Sequence, residues 1–300
     1  MRVNPNLVPD VLADLNQSQT TLNAALQEVS TGKSVNQPSD NPAAAAAMVE
    51  NTIETGNLDQ YTQNISSVLS TVQTADSALS NVVSSLTQAV SLGTQGANGT
   101  NSTTDLQSLA EQVQGILTDV VNQANTSYGG TYLFGGTAST QPPYTADASS
   151  SSGYTYNGNN DTNSVAVGDQ TSVAINLPGS QLFSNAATNV LGTLSSLVSA
   201  LQSGNSSTIS SATTAVSSAI DYVNQQRVFY GNAETQLNSQ ESYLQQETVS
   251  LTSQASSLVD VNMTQAATEL SQTETANSAA LAAAAKVLPN SLINYLGIPS

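Results

Sequence analysis

Ser30, Lys33, Ser39, Asp40 and Asn41 are the residues whose types and spacing could do covalent chemistry. Ser30-Thr31-Gly32-Lys33 fits Ser-x-x-Lys, in which a lysine takes the proton of a nucleophilic hydroxyl. Ser39-Asp40-Asn41 spells the Ser-Asp-Asn that accompanies it in serine acyl-transfer sites. The third part of such a site, Lys-Thr-Gly, is absent, and the first two lie too close in sequence for a cleft built from separate elements. The same residues read without chemistry as a helix stop at Gly32 and a helix N-cap at Asn41. Asn157, Asn159 and Asp161 alternate like the first ligands of a calcium loop. Thr162 and Gly168 stand where that loop needs Gly and Glu, so an Asn/Gly-rich turn accounts for the run. Tyr144, Tyr154 and Tyr156 could stack on a sugar, or pack a thin β layer. With no His and no Cys, the imidazole base, the thiol nucleophile and the usual zinc ligands are missing. These residues predict no catalytic, metal or cofactor site.

The elements that must position these residues are long helices. From Leu58, strides of three and four meet Tyr61, Ile65, Val68, Val72, Ala75, Leu79, Val82, Leu86 and Ala89. Every one is apolar, and Ser, Thr, Gln, Asn and Asp fill the gaps. That is the seam of a coiled coil, and at about 1.5 Å per residue it runs roughly 48 Å. A second seam passes through Ile209, Val216, Val223, Tyr230, Leu237, Leu244, Leu251 and Leu258 to Val261, with Gln226, Gln240, Glu247 and Gln254 as polar members. The spacing predicts a first helix with a stripe Val8, Leu12, Leu15, Gln19, Leu22, Leu26, Val29. A second runs from Ala43 to about Ser91 with a weak joint at Gly56, and a third carries Leu106 to Val120, antiparallel to the second. An Ala-rich last helix is disturbed at Leu288-Pro289. Between them the period changes: Thr131–Phe134, Val165–Val167 and Ser172–Leu177 read as strands.

Composition agrees. Charged residues make up 8% of the 300, against roughly 25% in ordinary globular chains. Aromatics are 4%, which suits thin layers of helix on helix, not a thick core. The net charge is −17, and the cations are Arg2, Lys33, Arg227 and Lys286 alone. Four scattered cations exclude a nucleic-acid partner and an anionic membrane surface. No run is apolar enough to predict membrane insertion, and Asp10, Asp14 and Asn16 break any h-region, so no cleavable signal peptide is expected.

The order of these segments carries a resemblance. Ser30-Thr31-Gly32-Lys33, then Asn36 and Pro38-Ser39-Asp40-Asn41-Pro42-Ala43-Ala44, resembles the loop after the first helix in the flagellar hook-associated protein 3 family, hook–filament junction proteins of the flagellin-like class. Tyr132-Leu133-Phe134-Gly135-Gly136-Thr137 is similar to that family's hallmark at the entry to its β domain. Asp260-Val261-Asn262-Met263, Ala279-Ala280-Leu281 and Ser291-Leu292 are similar to its C-terminal pattern. Ser34 stands where the family usually has a second basic residue, and Asn41 and Asn262 each replace a usual Asp. Gly32, Lys33, Pro38, Asp40, Leu133, Phe134, Gly135 and Gly136 are the signature-loop residues the resemblance singles out.

The expected fold is mainly α, a long antiparallel helical rod or coiled-coil bundle with a small β-rich insertion. Residues 1–50 and 262–300 are expected to form an inner self-assembly domain, 51–130 and 184–261 the rod, and 131–183 an outward insertion dispensable for assembly. The self-assembly surface is placed on Leu7, Leu12, Leu15, Leu22, Leu26, Leu281, Leu288, Leu292 and Leu296, in helices expected to order only on assembly. The rod seam is placed on Leu58, Ile65, Val72, Leu79, Leu86, Val223, Leu237 and Leu244. The resemblance implies a non-enzymatic, extracellular adaptor of the bacterial flagellum, exported through the flagellar type III channel. Its implied partners are further copies in a ring, hook-associated protein 1, flagellin and a cytoplasmic export chaperone. Flagellin itself is the nearest alternative. A carbohydrate-binding adhesin and a Ser/Lys hydrolase are remoter ones.

Overall fold

Two very long helices carry the apolar seams. The computed structural model describes residues 7–295, with side chains from 9 to 286. The helices are α1 (Leu7–Thr31), α2 (Pro42–Gly96), α3 (Thr103–Ala124), the short α4 (Gly179–Leu182), α5 (Val190–Ser203), α6 (Ser206–Val259) and α7 (Met263–Tyr295). Their ends follow local chemistry. Asn41 Oδ1 accepts the Ala44 N–H at 3.1 Å, with Pro42 in the first helical position, so the N-cap reading of Asn41 holds. Ser102 and Asp105 form a reciprocal capping box for α3. α2 is continuous through Gly56, and α7 continues past Pro289, where the sequence predicts a disturbance. The chain divides into a central unit, Leu58–Gln245, and a terminal unit, Met1–Asn57 with Gln246–Ser300.

In the central unit the seam of α2 is buried from Leu58 to Ala89, apart from the half-buried Tyr61. Ile65, Val72, Leu79, Leu86, Val223, Leu237 and Leu244 are all buried with Leu58. α2 and α6 run antiparallel: Gln73 meets Glu234, and Asp76 takes a bidentate Arg227 at 2.8 and 2.9 Å. α3 packs on α5. At the far end all four helices converge, since a Cβ on Gly96 would meet Leu106, Leu201 and Ile209. Leu79→Ala is expected to cost about 2–5 kcal/mol. Ser84→Ala, at an exposed position, should cost under about 0.5 kcal/mol. Equal shifts of their urea midpoints would refute the seam.

The outward-facing hydroxyls of α2 form a ladder. Thr62, Ser66, Ser70 and Thr74 each donate to the carbonyl four residues back, at 2.9, 3.0, 3.2 and 2.7 Å. So a helix surface with few ions still presents polar groups to water.

The β segment is three antiparallel hairpins: β1 (Ser127–Tyr128) with β2 (Thr131–Tyr132), β3 (Tyr144–Ala146) with β4 (Tyr154–Tyr156), and β5 (Ser164–Ala166) with β6 (Ser172–Ala174). The first closes through Gly129 and Gly130 at φ 59 and 82, the paired left-handed residues of a type I′ turn. The strands are shorter than their sequence pattern predicts, because Leu133, Phe134 and Val167 leave the ladders to enter a core. This segment is not a separate appendage. Phe134 and Phe183 meet edge to face at 5.5 Å, and Tyr144 lies across Phe183 at 5.9 Å. Tyr230 of α6, fully buried, accepts the Leu177 N–H, and Tyr222 donates to the Gln181 carbonyl. Asn64 of α2 donates to the Ala166 carbonyl at 3.0 Å. The insertion therefore shares its core with the central helices.

One carboxylate closes the second hairpin. Asp147 accepts from the Ser149 Oγ at 2.6 Å, the Thr155 Oγ1 at 2.6 Å and the Ser149 N–H at 2.9 Å. These bonds, the Ser149 hydroxyl first, hold its pKa down at about 2. A depressed carboxyl pKa supplies stability above the unfolded value, lost as pH falls through the folded one. The hairpin should stay intact to about pH 4 and loosen toward pH 2. Asp147→Asn should remove that acid-limb step from the side-chain NMR titration of Thr155; an unaltered titration would contradict the assignment.

Candidate functional site

α1 and α7 pack on each other in the terminal unit. The less exposed residues of α1 are Val11, Leu15, Ser18, Leu22, Ala25, Glu28 and Val29. Those of α7 are Ala266, Leu270, Thr273, Asn277, Ala280 and Ala284. Apart from Glu28, each set steps by fours and threes, so the pair is an antiparallel two-stranded coiled coil. Its register is fixed by Ser18 Oγ donating to Asn277 Oδ1 at 3.3 Å. Stepping outward from that bond sets Leu15 opposite Ala280, Leu22 opposite Thr273, Ala25 opposite Leu270 and Val29 opposite Ala266. Each layer joins a larger residue to a smaller one, so the helices approach closely.

The two flanks of this coil differ. Leu12 and Leu26 of α1 and Leu281 of α7 sit one step past the seam on one flank, and are 46%, 44% and 45% exposed. Ala267 completes that flank, with Gln19 and Glu274 as its polar members. The opposite flank carries Asp14, Glu28 and Glu269. Of the leucines expected to form an assembly surface, Leu15 and Leu22 are thus half-buried in the coil, and Leu12, Leu26 and Leu281 face outward. Leu7, Leu288 and Leu292 lie on the same two helices, but their side chains, and Leu296 altogether, are outside the described residues.

Within the terminal unit, the end of α1 and the start of α7 meet at a joint. α1 ends at Gly32, whose φ of 71 and N–H bond to the Glu28 carbonyl at 2.8 Å make the expected left-handed stop. Lys33 bridges to Asp260, flanked by Ser34 N–H to the Val259 carbonyl at 2.7 Å and Val261 N–H to the Gly32 carbonyl at 3.0 Å. Ser34 Oγ adds a second bond to Val259. Asp40 accepts the N–H groups of Asn36 and Gln37 at 3.0 and 2.8 Å, which shapes the loop around Pro38. The helix breaks between α6 and α7 at Asp260–Asn262, where the seam's periodicity predicts continuation through Val261. The signal of the break is Asn262, whose Oδ1 accepts the Thr264 N–H at 3.1 Å and caps α7. Ser30, Lys33, Ser39, Asp40 and Asn41 thus lie at a helix end and in the loop that follows it.

Leu133-Phe134-Gly135-Gly136 organises the insertion. Leu133 and Phe134 are buried. The Phe134 carbonyl accepts the Gly179 N–H at 2.7 Å and the Tyr156 hydroxyl at 3.0 Å. Gly136 has φ 70, and a Cβ there would strike Asn159, so only glycine fits. Asn159 Oδ1 accepts the Thr137 N–H at 2.8 Å, and Asn157 Nδ2 donates to Thr145 Oγ1 at 2.7 Å. The calcium-like alternation therefore builds a turn. Tyr144 is buried, with its hydroxyl donating to the Gly179 carbonyl at 2.8 Å, and burial pushes its phenol pKa up.

The bacterial flagellin N-terminal helical region matches residues 8–139 and the bacterial flagellin C-terminal helical region matches residues 213–296. The phase 1 flagellin of Salmonella naestved and the flagellin of Salmonella dublin are each 31% identical over 112 residues, 37% of this chain. The chain spans 22% of the length of those relatives. Among solved structures, a flagellar hook-associated protein of Vibrio parahaemolyticus has TM-score 0.67 at 18% identity, over 74% of this chain and all of that one. The FlgL protein of Bacillus cereus has TM-score 0.60 at 23% identity, over 69% and 99%. The flagellar junction protein FlgL of Legionella pneumophila has TM-score 0.60 at 16% identity, over 71% and 99%. With the two flagellin terminal regions in order and together spanning more than half of its length, the chain belongs to the flagellin-like family of bacterial flagellar proteins.

Proposed function

We propose that this chain is a structural, non-enzymatic adaptor at the junction between hook and filament of the bacterial flagellum. The observation that carries the reading is coverage: its fold runs along 98–100% of several solved hook-associated and junction proteins. In this reading residues 1–50 and 262–300 form the inner self-assembling layer, 51–130 and 184–261 the rod, and 131–183 the outward insertion. Copies associate as a ring through Leu12, Leu15, Leu22, Leu26 and Leu281, with Leu7, Leu288, Leu292 and Leu296 extending the surface. The ring meets hook-associated protein 1 on one side and flagellin on the other. A chaperone escorts the chain to the flagellar channel, through which it leaves uncleaved. A two-helix seam in which Leu15, Leu22 and Leu270 face small or polar partners buries little apolar area, while ordering costs about 1–2 kcal/mol per residue. Neighbouring copies supply the missing burial, which couples the order of the terminal helices to assembly.

Immunogold labelling of purified flagella tests the reading. One band of label between hook and filament is expected. Label along the filament would instead make the chain a flagellin, and no label on the structure would end the proposal.

A further inference from the structure

The sequence holds two Asn-Gly pairs, Asn98-Gly99 and Asn157-Gly158. The chemistry of such a pair is intrinsic. The backbone nitrogen of the glycine attacks Cγ of the asparagine side chain, the Cγ–Nδ2 bond breaks, and ammonia leaves. Water then opens the cyclic imide at either carbonyl, giving aspartate or isoaspartate. No oxidant or cofactor enters. The step needs the side chain to swing onto the following peptide nitrogen, so a fold that holds either group suppresses it.

The two pairs are held very differently. Asn157 is pinned on three sides: its Nδ2 donates to Thr145 Oγ1 at 2.7 Å, its N–H to the Pro143 carbonyl at 2.8 Å, and Asn159 N–H to the Gly135 carbonyl at 3.1 Å. A Cβ on Gly158 would strike the Tyr156 phenol and the Gly135 carbonyl, so this glycine sits in a crowded pocket. Asn98 and Gly99 are both exposed, in the turn between α2 and α3. Nothing lies within 4 Å of a Cβ built on Gly99. Among the described residues, no hydrogen bond holds the Asn98 side chain; only its backbone is engaged, the carbonyl accepting Asn101 Nδ2 at 2.8 Å.

We propose that Asn98-Gly99 is a self-modifying site, at which the folded protein converts Asn98 to aspartate and isoaspartate while Asn157 is protected. The isoaspartyl product inserts a methylene into the backbone beside the carbonyl that receives Asn101, and either product adds a negative charge near Asp105 at the start of α3.

The test uses the intact chain, incubated in mildly alkaline buffer at physiological temperature. Fragments from a glutamate-specific protease are then read by mass spectrometry with isoaspartate detection. Asn98 is expected to convert at least about tenfold faster than Asn157, a barrier difference of ~1.4 kcal/mol. In strong urea the two rates should converge. Gly99→Ala, which the open Cβ position accommodates, should slow Asn98 in the folded chain without altering its melting. Equal rates in the folded chain, conversion of Asn157 ahead of Asn98, or no conversion of Asn98 would each overturn the proposal.

Discussion

Replacing residues 141–180 by a short glycine–serine linker is expected to unfold the central unit, not to leave it intact. What is lost is cover. Tyr144 and Leu177 go, and Phe134, Phe183 and Tyr230 lose part of their contacts. An aromatic side chain buries about 150–250 Å², so half-uncovering three of them at about 25 cal/mol per Å² forfeits ~6–9 kcal/mol. That is comparable with the whole stability of a typical domain, about 5–15 kcal/mol. The far-ultraviolet circular dichroism melt should lose its cooperative transition or shift far down in temperature. An unchanged melt would show the insertion to be dispensable, as its sequence suggests when read by itself.

The second large effect is on assembly. Placing carboxylates on the apolar flank of the terminal coil, as Leu12→Glu with Leu281→Glu, is expected to abolish association between copies. Both positions are nearly half exposed, so each change should cost the monomer little stability. The chain already carries a net charge of −17, and a flank free of cations has nothing to neutralise new carboxylates. Ala283→Glu, on the flank that already holds Asp14, Glu28 and Glu269, should leave association intact. Sedimentation of the concentrated protein reads both. Equal loss from the two flanks would sink the sidedness, and no loss from either would sink the self-assembly surface.

The long seams were legible because Leu79, Leu86 and their neighbours repeat without a Gly or Pro for some thirty residues, roughly nine helical turns. The inward face of α1 was harder. Leu12 and Leu26 outweigh Val11 and Ala25 in any periodic reading, yet the smaller residues face α7, whose own Ala266 and Leu270 leave a narrow seam. Periodicity reports which residues are apolar, and the partner decides which of them are covered. The joint escaped for a different reason. Asp260 and Asn262 interrupt a strong helical pattern without a Gly or Pro, and only the capping preference of Asn262 marks the break. The hairpin of Tyr144–Ala146 with Tyr154–Tyr156 has three-residue strands, too short for alternation to register. The ends of the signature loops were legible by resemblance, while the reason for Gly136 needed Asn159, a residue distant in sequence.

The joint has a consequence for proteolysis. Trypsin cuts only after lysine or arginine, and Lys33 is the first such residue among those described, the next being Arg227. Arg227 is clamped within a helix by Asp76. Lys33 is exposed, but the peptide bond beyond it is held where Ser34 donates to Val259 and Val261 to Gly32. A protease needs an extended, released segment, so cleavage after Lys33 proceeds only as fast as those bonds open. The rate of cutting after Lys33, read apart from any cut after the exposed Lys286 of α7, would therefore measure how often the joint comes apart.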